Sequence, residues 1–174
     1  VTVDGVTHDS TVGIPSPNGH EVGIEDAAVI GARFEGLVGG IVEDLTIQNI
    51  IGQDGTPPFG GSPYSADGTK GVDATGVQIL VSDALSLSTI DIQTVKAGDG
   101  GTGTQYAGDG GPGGEGVGLL VAGSKNGIVR ALSINEVTGG NGSTVAYNSP
   151  GDAKPGAGAP AIGVRVTDST GTTL

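Results

Sequence analysis

Three sets of side chains in this sequence have the types and spacing to do chemistry. Tyr64, Tyr106 and Tyr147 each open a short polar stretch, "YSADG", "YAGDG" and "YNSPGD". Aromatic rings repeated in this way can form a sugar-binding platform, so these three are the candidate ligand-binding residues. The alternative is that the rings pack inward and anchor their loops. Asp54 and Asp99, each followed by glycine, are the candidate metal ligands, with calcium the cation that carboxylate oxygens suit. The first reading of this pair is turn capping, with the carboxylates turned toward backbone N–H groups, and bound calcium is the second. His8 and His20 stand in one stretch near the start, as a metal pair or as solvated side chains.

Hydrolysis of a glycoside would need two carboxyl groups at a controlled separation. Glu25, Asp26, Glu43 and Asp44 are the available acids, but the residues that follow Asp44 at the repeat interval are Thr89 and Ala131. Arg33 and Arg165 share a repeat position, with Gln78 and Leu120 between them. The sequence contains no P-loop, no G-x-S-x-G and no H-E-x-x-H. No catalytic residue is assigned, and the chain is not expected to be an enzyme.

The elements that must position these residues form a repeat. A glycine opens each of four apolar runs: Gly31 in "GARFEG", Gly76 in "GVQILV", Gly118 in "GLLVAG" and Gly163 in "GVRVTD". The intervals are 45, 42 and 45 residues (31 to 76, 76 to 118, 118 to 163). Counting forward from each glycine without gaps aligns Ala32, Val77, Leu119 and Val164, then Phe34, Ile79, Val121 and Val166. Further on it aligns Leu45, Ile90 and Leu132, then Ile47, Ile92 and Ile134, then Ile50, Val95 and Val137. Alternation with period two and a β-branched, aliphatic composition predict strands whose aliphatic columns face inward, with Ile47, Ile92 and Ile134 buried and stacked. Asp54-Gly55, Asp99-Gly100 and Asn141-Gly142 close the units, and Gly39-Gly40 and Asn126-Gly127 have turn chemistry. The units run 31–75, 76–117 and 118–162, with a partial unit at 163–174 and the tail of a preceding unit plus a loop at 1–30.

Similar residues at the same position in successive units predict a parallel β-solenoid, all-β, with about 3–4 rungs in one domain spanning 1–174. The columns Ile47/Ile92/Ile134 and Asp54/Asp99/Asn141 resemble in architecture the right-handed parallel β-helix class. That class includes pectin-lyase-like enzymes, phage tailspikes and bacterial surface adhesins. The resemblance covers nearly the whole chain and matches no single family's active site. Gln48, Gln93 and Asn135 fall in one column and predict an amide ladder.

The stretches between units are rich in glycine, and the chain holds 36 Gly in 174 residues. "GGPGGE", Gly110 to Glu115, is GGX twice, a spacing that permits extended polyglycine or polyproline II segments packed backbone to backbone. The expectation is long Gly-rich loops leaving the solenoid on one side and touching one another; the alternative is flexible low-complexity loops. A calcium-binding nonapeptide reading of residues 110–118 needs Glu115 in an aspartate position and has one imperfect copy.

Nineteen acids against seven bases give a net charge of -12, which repels phosphate backbones and argues against nucleic acid as a partner. There is no Cys, so disulfides and thiolate metal sites are excluded. The absence of Met reads as a processed chain or a piece of a longer one, and no stretch of 18 apolar residues offers a membrane span. Together these features lead to the expectation of a structural or adhesive protein of the extracellular space or cell surface. It would need no cofactor, calcium aside, and would assemble end to end into a stalk or filament. The half-unit at 163–174 would be completed by another chain, for instance by the "VTVDG" of the next copy, or by further sequence of a longer chain. The alternative is a carbohydrate-binding or carbohydrate-cleaving β-helix that uses the loop tyrosines. Ice binding would need outward ranks of Thr, and the position of Thr46 is held by Asp91 and Ser133.

Overall fold

The computed structural model describes residues 2–4, 28–57, 67–103, 108–145 and 153–174. Nine strands occur among them: β1 (Thr2–Asp4), β2 (Val29–Glu35), β3 (Ile41–Gln48), β4 (Ile50–Ile51), β5 (Ala74–Leu80), β6 (Ser86–Lys96), β7 (Gly116–Ala122), β8 (Ile128–Thr138) and β9 (Ala161–Thr167). They form two parallel sheets. One has four strands in the order β2-β5-β7-β9; the other has five, with β1, β3, β6 and β8 side by side and β4 also paired to β6. No described residue is helical, and no helix here is long and apolar enough to cross a membrane.

The register follows the sequence alignment. Ala32 pairs with Val77, Val77 with Leu119 and Leu119 with Val164. Ile47 pairs with Ile92 and Ile92 with Ile134. The apolar columns face a shared core in which Ile47, Ile50, Val77, Ile92, Val95 and Leu119 are fully buried. The glycine that opens each unit explains how closely the sheets approach. A Cβ on Gly31 would lie 2.7 Å from Cγ2 of Ile47, and one on Gly76 would lie 2.8 Å from Cγ2 of Ile92. Both are shorter than real Cβ contacts, so only glycine lets the isoleucine column of one sheet seat against the backbone of the other.

The turns also stack. Gly36, Val81, Gly123 and Asp168 all have positive φ, as do Gly39, Ala84, Asn126 and Gly171. A column of serines sits between them. The Ser82 hydroxyl accepts the Leu37 N–H (3.3 Å), Ser124 accepts that of Ser82 (3.2 Å), and Ser169 accepts that of Ser124 (3.1 Å).

Three sequence expectations are corrected. The fold class is not a parallel β-solenoid of about 3–4 rungs with long Gly-rich loops on one side. Two separate parallel sheets, of five and four strands, replace the single coil, and the described glycine stretches pack backbone to backbone, as the GGX spacing permits, into a hydrogen-bonded layer. The reason is local: glycine-rich segments satisfy their backbone groups on one another and so become an architectural layer. Second, Gln93 does not reach along its column. Its amide donates to Asp91 on the same strand (2.8 Å), because a carboxylate is the stronger acceptor. Third, Ile134 is only half-buried, since β8 has a neighbour on one side over most of its length.

Burial therefore grades the isoleucine column. Ile92→Ala is expected to cost about 2–5 kcal/mol, and Ile134→Ala distinctly less, because a half-exposed side chain leaves a smaller cavity. Denaturant melts of the two variants measure the difference, and equal losses would contradict the burial order.

Candidate functional site

The glycine layer is built from six segments: 52–56, 68–74, 97–103, 108–116, 139–143 and 154–160. Its logic is clearest in 97–103. Ala97 and Gly100 donate to the carbonyls of Thr138 (3.0 Å) and Asn141 (2.8 Å). Gly98 and Gly101 donate to Val72 and Thr69 (both 2.9 Å). Asp99, between them, donates to the Asp54 carboxylate (2.9 Å). Donors three residues apart face the same neighbour. That is the polyproline II period of three residues per turn, not the period of two that a strand shows.

Segment 108–116 repeats the scheme. Gly110, Gly113 and Gly116 donate to Lys154, Ala157 and Pro160 (2.9, 2.9 and 3.1 Å). Gly111 and Gly114 donate to Gly101 and Gly98 (2.7 and 2.8 Å). The third row is residues 109, 112 and 115. Asp109 donates to the Asp67 carboxylate (2.8 Å) and Glu115 to that of Asp73 (2.6 Å). Between them stands Pro112, which has no N–H to satisfy. "GDGGPGGEG" thus assigns glycine to the two rows that face neighbouring backbones and a side chain to the third.

Backbones this close leave no room for a Cβ. One built on Gly98 would fall on the backbone oxygen of Gln53, and one on Gly111 on that of Thr69. Neither obstacle is a flexible side chain, so substitution must shift a neighbouring segment.

The carboxylates of the outer row form ladders between units. Asp54 Oδ1 accepts the Asp99 amide, and Asp99 Oδ1 accepts both the backbone amide of Asn141 (2.7 Å) and its side-chain amide (3.2 Å). Asp67 serves Asp109 in the same way, and Asp109 serves Lys154 (2.7 Å). Charge-assisted acceptance explains why acids stack without mutual repulsion dominating: each carboxylate faces an N–H donor of the next unit. The candidate calcium ligands Asp54 and Asp99 therefore lie one unit apart, each with Oδ1 on a backbone amide. Among the described residues no group of three or more His, Asp or Glu is arranged to hold a metal ion.

One ion-pair chain ties the layer to a sheet. Lys70 Nζ meets Asp73 Oδ2 (2.8 Å), and the other oxygen of Asp73 accepts the Glu115 amide. Glu115 takes both guanidinium nitrogens of Arg165 on β9, with Nη1 to Oε2 at 2.6 Å. The hydrogen bonds that Arg165 donates to Glu115, with the charges of Glu115 and Asp73, raise the Arg165 pKa above its ordinary value. Arg33, at the same repeat position, pairs with Glu35 instead (2.7 Å).

Tyr64, Tyr106 and Tyr147 lie outside the described residues, as do His8, His20, Glu25 and Asp26. What can be placed is where their connections begin and end. Segments 52–56, 97–101 and 138–143 run parallel, because Gly52 and Gly55 donate to Lys96 and Asp99 while Ala97 and Gly100 donate to Thr138 and Asn141. Each returns antiparallel: Thr69 to Thr56 (3.1 Å), Gly111 to Gly101, and Gly156 to Ser143 (2.8 Å). The connections holding the three tyrosines consequently leave and re-enter at one end of the layer. The ladders Asp67/Asp109/Lys154 and Asp73/Glu115, and the serines 82, 124 and 169, were legible at the same 42- and 45-residue offsets but escaped a reading that followed apolar columns. Comparison with protein-family models, curated proteins and solved structures finds no match to this chain.

Two outcomes test this geometry. Gly111→Ala is expected to lower stability by about 1–3 kcal/mol or more, whereas Pro112→Ala, on the exposed row, changes it little. Equal effects in thermal melts would contradict the three-row assignment. With carboxylates that cap amides, chelator and added calcium leave the melting temperature unchanged; a rise with calcium would make Asp54 and Asp99 ligands after all.

Proposed function

We propose that this chain is a structural or adhesive protein of the extracellular space or cell surface, one that extends into a stalk or filament and presents its connections to a ligand. The single observation that carries the reading is the common exit: three connections, each with one tyrosine in sequence, issue side by side from one end of a hydrogen-bonded layer. A layer in which backbone amides are paired in two directions and capped in the third is stiff, so the points where the connections leave it, residues 57, 103 and 145, are held at fixed spacing. Fixed spacing lets several weak contacts act together, which raises avidity without any new contact. The net charge of -12 keeps such an assembly soluble and away from nucleic acid.

Glycans are the ligand class this display suits. Tyrosine offers a flat apolar face to a sugar ring and a hydroxyl to its rim. The second reading, a carbohydrate-binding protein with the tyrosines as its platform, rests on the same exit and differs in whether binding or scaffolding is the main role.

A glycan array probed with the chain and with a Tyr64→Ala/Tyr106→Ala/Tyr147→Ala variant tests the proposal. The expected result is binding by the parent chain and at least tenfold weaker binding by the variant, with unchanged melting. Undiminished binding by the variant would remove the tyrosines from the ligand surface. Release of reducing sugar by the parent chain would overturn the non-enzymatic reading.

A further inference from the structure

The three units close on the same column with different chemistry. They read Asp54-Gly55-Thr56, Asp99-Gly100-Gly101 and Asn141-Gly142-Ser143. A hydroxyl stands two residues past the column in the first and third, but only the third has a carboxamide nitrogen in the column itself. Asparagine followed two residues on by serine or threonine, with no proline between, is the acceptor sequence for N-linked glycosylation. Asn18, Asn49, Asn126, Asn135 and Asn148 are followed at that distance by His20, Ile51, Ile128, Val137 and Pro150. Asn141 alone has the acceptor chemistry, and it is the residue that departs from an otherwise acidic column.

We infer that Asn141 is a glycosylation site, which takes an oligosaccharide from a lipid-linked diphosphate donor. This rests on the extracellular or cell-surface element of the proposed function, because such transfer acts on chains being exported. In the step, Nδ2 bonds to the anomeric carbon of the first sugar. The bond from that carbon to the diphosphate oxygen breaks, the lipid diphosphate leaves with the electron pair, and one Nδ2 proton passes to a base of the transferase.

The fold has room for the product. The three-residue period turns Gly140 and Ser143 toward the return segment, where their amides donate to Gly114 (2.8 Å) and Gly111 (3.0 Å). A Cβ on Gly140 would fall on the backbone oxygen of Gly98, so that row has no space for a substituent. Asn141 lies on the other row, with Asp54 and Asp99, and is exposed. A glycan there extends into solvent, just before the third connection leaves the layer at residue 145.

The hydrogen bond that Asn141 makes also survives. Nδ2 donates to Asp99 Oδ1 at 3.2 Å, and a carboxamide nitrogen carries two hydrogens. Glycosylation replaces one and leaves the other for Asp99. The Ser143 hydroxyl fixes the order of events. In the folded layer it meets the Thr102 hydroxyl (3.1 Å) and donates to the Thr144 carbonyl (3.1 Å), away from the role of assisting transfer. Transfer therefore precedes the packing of 139–143 onto the rest of the layer.

Peptide mass spectrometry of the chain recovered from the medium or surface of the cells that encode it tests the site. The tryptic peptide 131–165 is expected to carry sugar mass that a peptide-N-glycosidase removes, converting the Asn141 carboxamide to a carboxylate. Asn141→Gln and Ser143→Ala, expressed in the same cells, are expected to lower occupancy at least tenfold, while Ser143→Thr retains it. If Asn141→Gln fails to fold, the contrast between the two Ser143 variants still decides. A bare peptide 131–165 in an exported chain, or sugar on that peptide undiminished in Asn141→Gln, would overturn the site. The first of these results would leave the extracellular reading standing. A chain found only inside its own cells would overturn that reading and the site together.

Discussion

The structure depends on how closely two backbones can approach when neither residue carries a Cβ. Inside the glycine layer, carbonyl oxygens of one segment occupy the space a side chain would need on the next. This closeness brings N–H and C=O groups of separate segments to hydrogen-bonding distance without forming a sheet. The apolar surface available to such segments is small, so hydrogen bonding and close packing must offset the entropy lost in ordering glycine, the most flexible residue. Each bond contributes only about 1 kcal/mol net, but a buried amide without a partner would cost more than that. Pairing every row is thus a condition for the layer to exist.

The same constraint recurs where the two sheets meet. Gly31, Gly76 and Gly118 sit over Ile47, Ile92 and Ile134. Gly163 continues that series on β9, yet nothing lies within 4 Å of where its Cβ would be. Glycine is needed where the facing isoleucine, sixteen residues on in the chain, closes on it. The sheets in turn fix the glycine layer, since β5, β6, β7 and β8 each run directly into one of its segments. Register errors in a sheet would therefore misalign donors in the layer, and each part enforces the other.

Much of this was legible in the sequence, and the parts that were not have physical causes. Apolar columns at 45- and 42-residue intervals emerge as pairing registers because burial punishes a slip of one residue. The architecture was misjudged because period two marks a strand clearly, whereas a glycine tract carries no burial pattern to distinguish a loop from a packed segment. Period three in "GDGGPGGEG" was visible as GGX, but the meaning of its third row emerged only once Asp67 and Asp73 were seen opposite the amides of Asp109 and Glu115. Turn positions were legible where glycine or asparagine filled them, and hidden at Val81, whose φ of 48° is imposed by the stack rather than by its side chain. Asp54 and Asp99 were correctly paired as a column. Capping was the first reading of the pair, and geometry supplied the donors, the backbone amides of Asp99 and Asn141 in the next unit.

A hydrogen-bonded backbone layer continuous with two sheets, with the ends of three connections on one side, is what the proposal of a structural role rests on. The central claim is that the glycine segments are hydrogen-bonded structure, and residue-resolved amide hydrogen exchange tests it most directly. The account predicts that Gly98, Gly101, Gly111, Gly114 and Gly140 exchange as slowly as Ile92 and Val95 in β6, because their amides are paired and buried. Exchange of those five glycine amides at free-peptide rates, with β6 still protected, would contradict it.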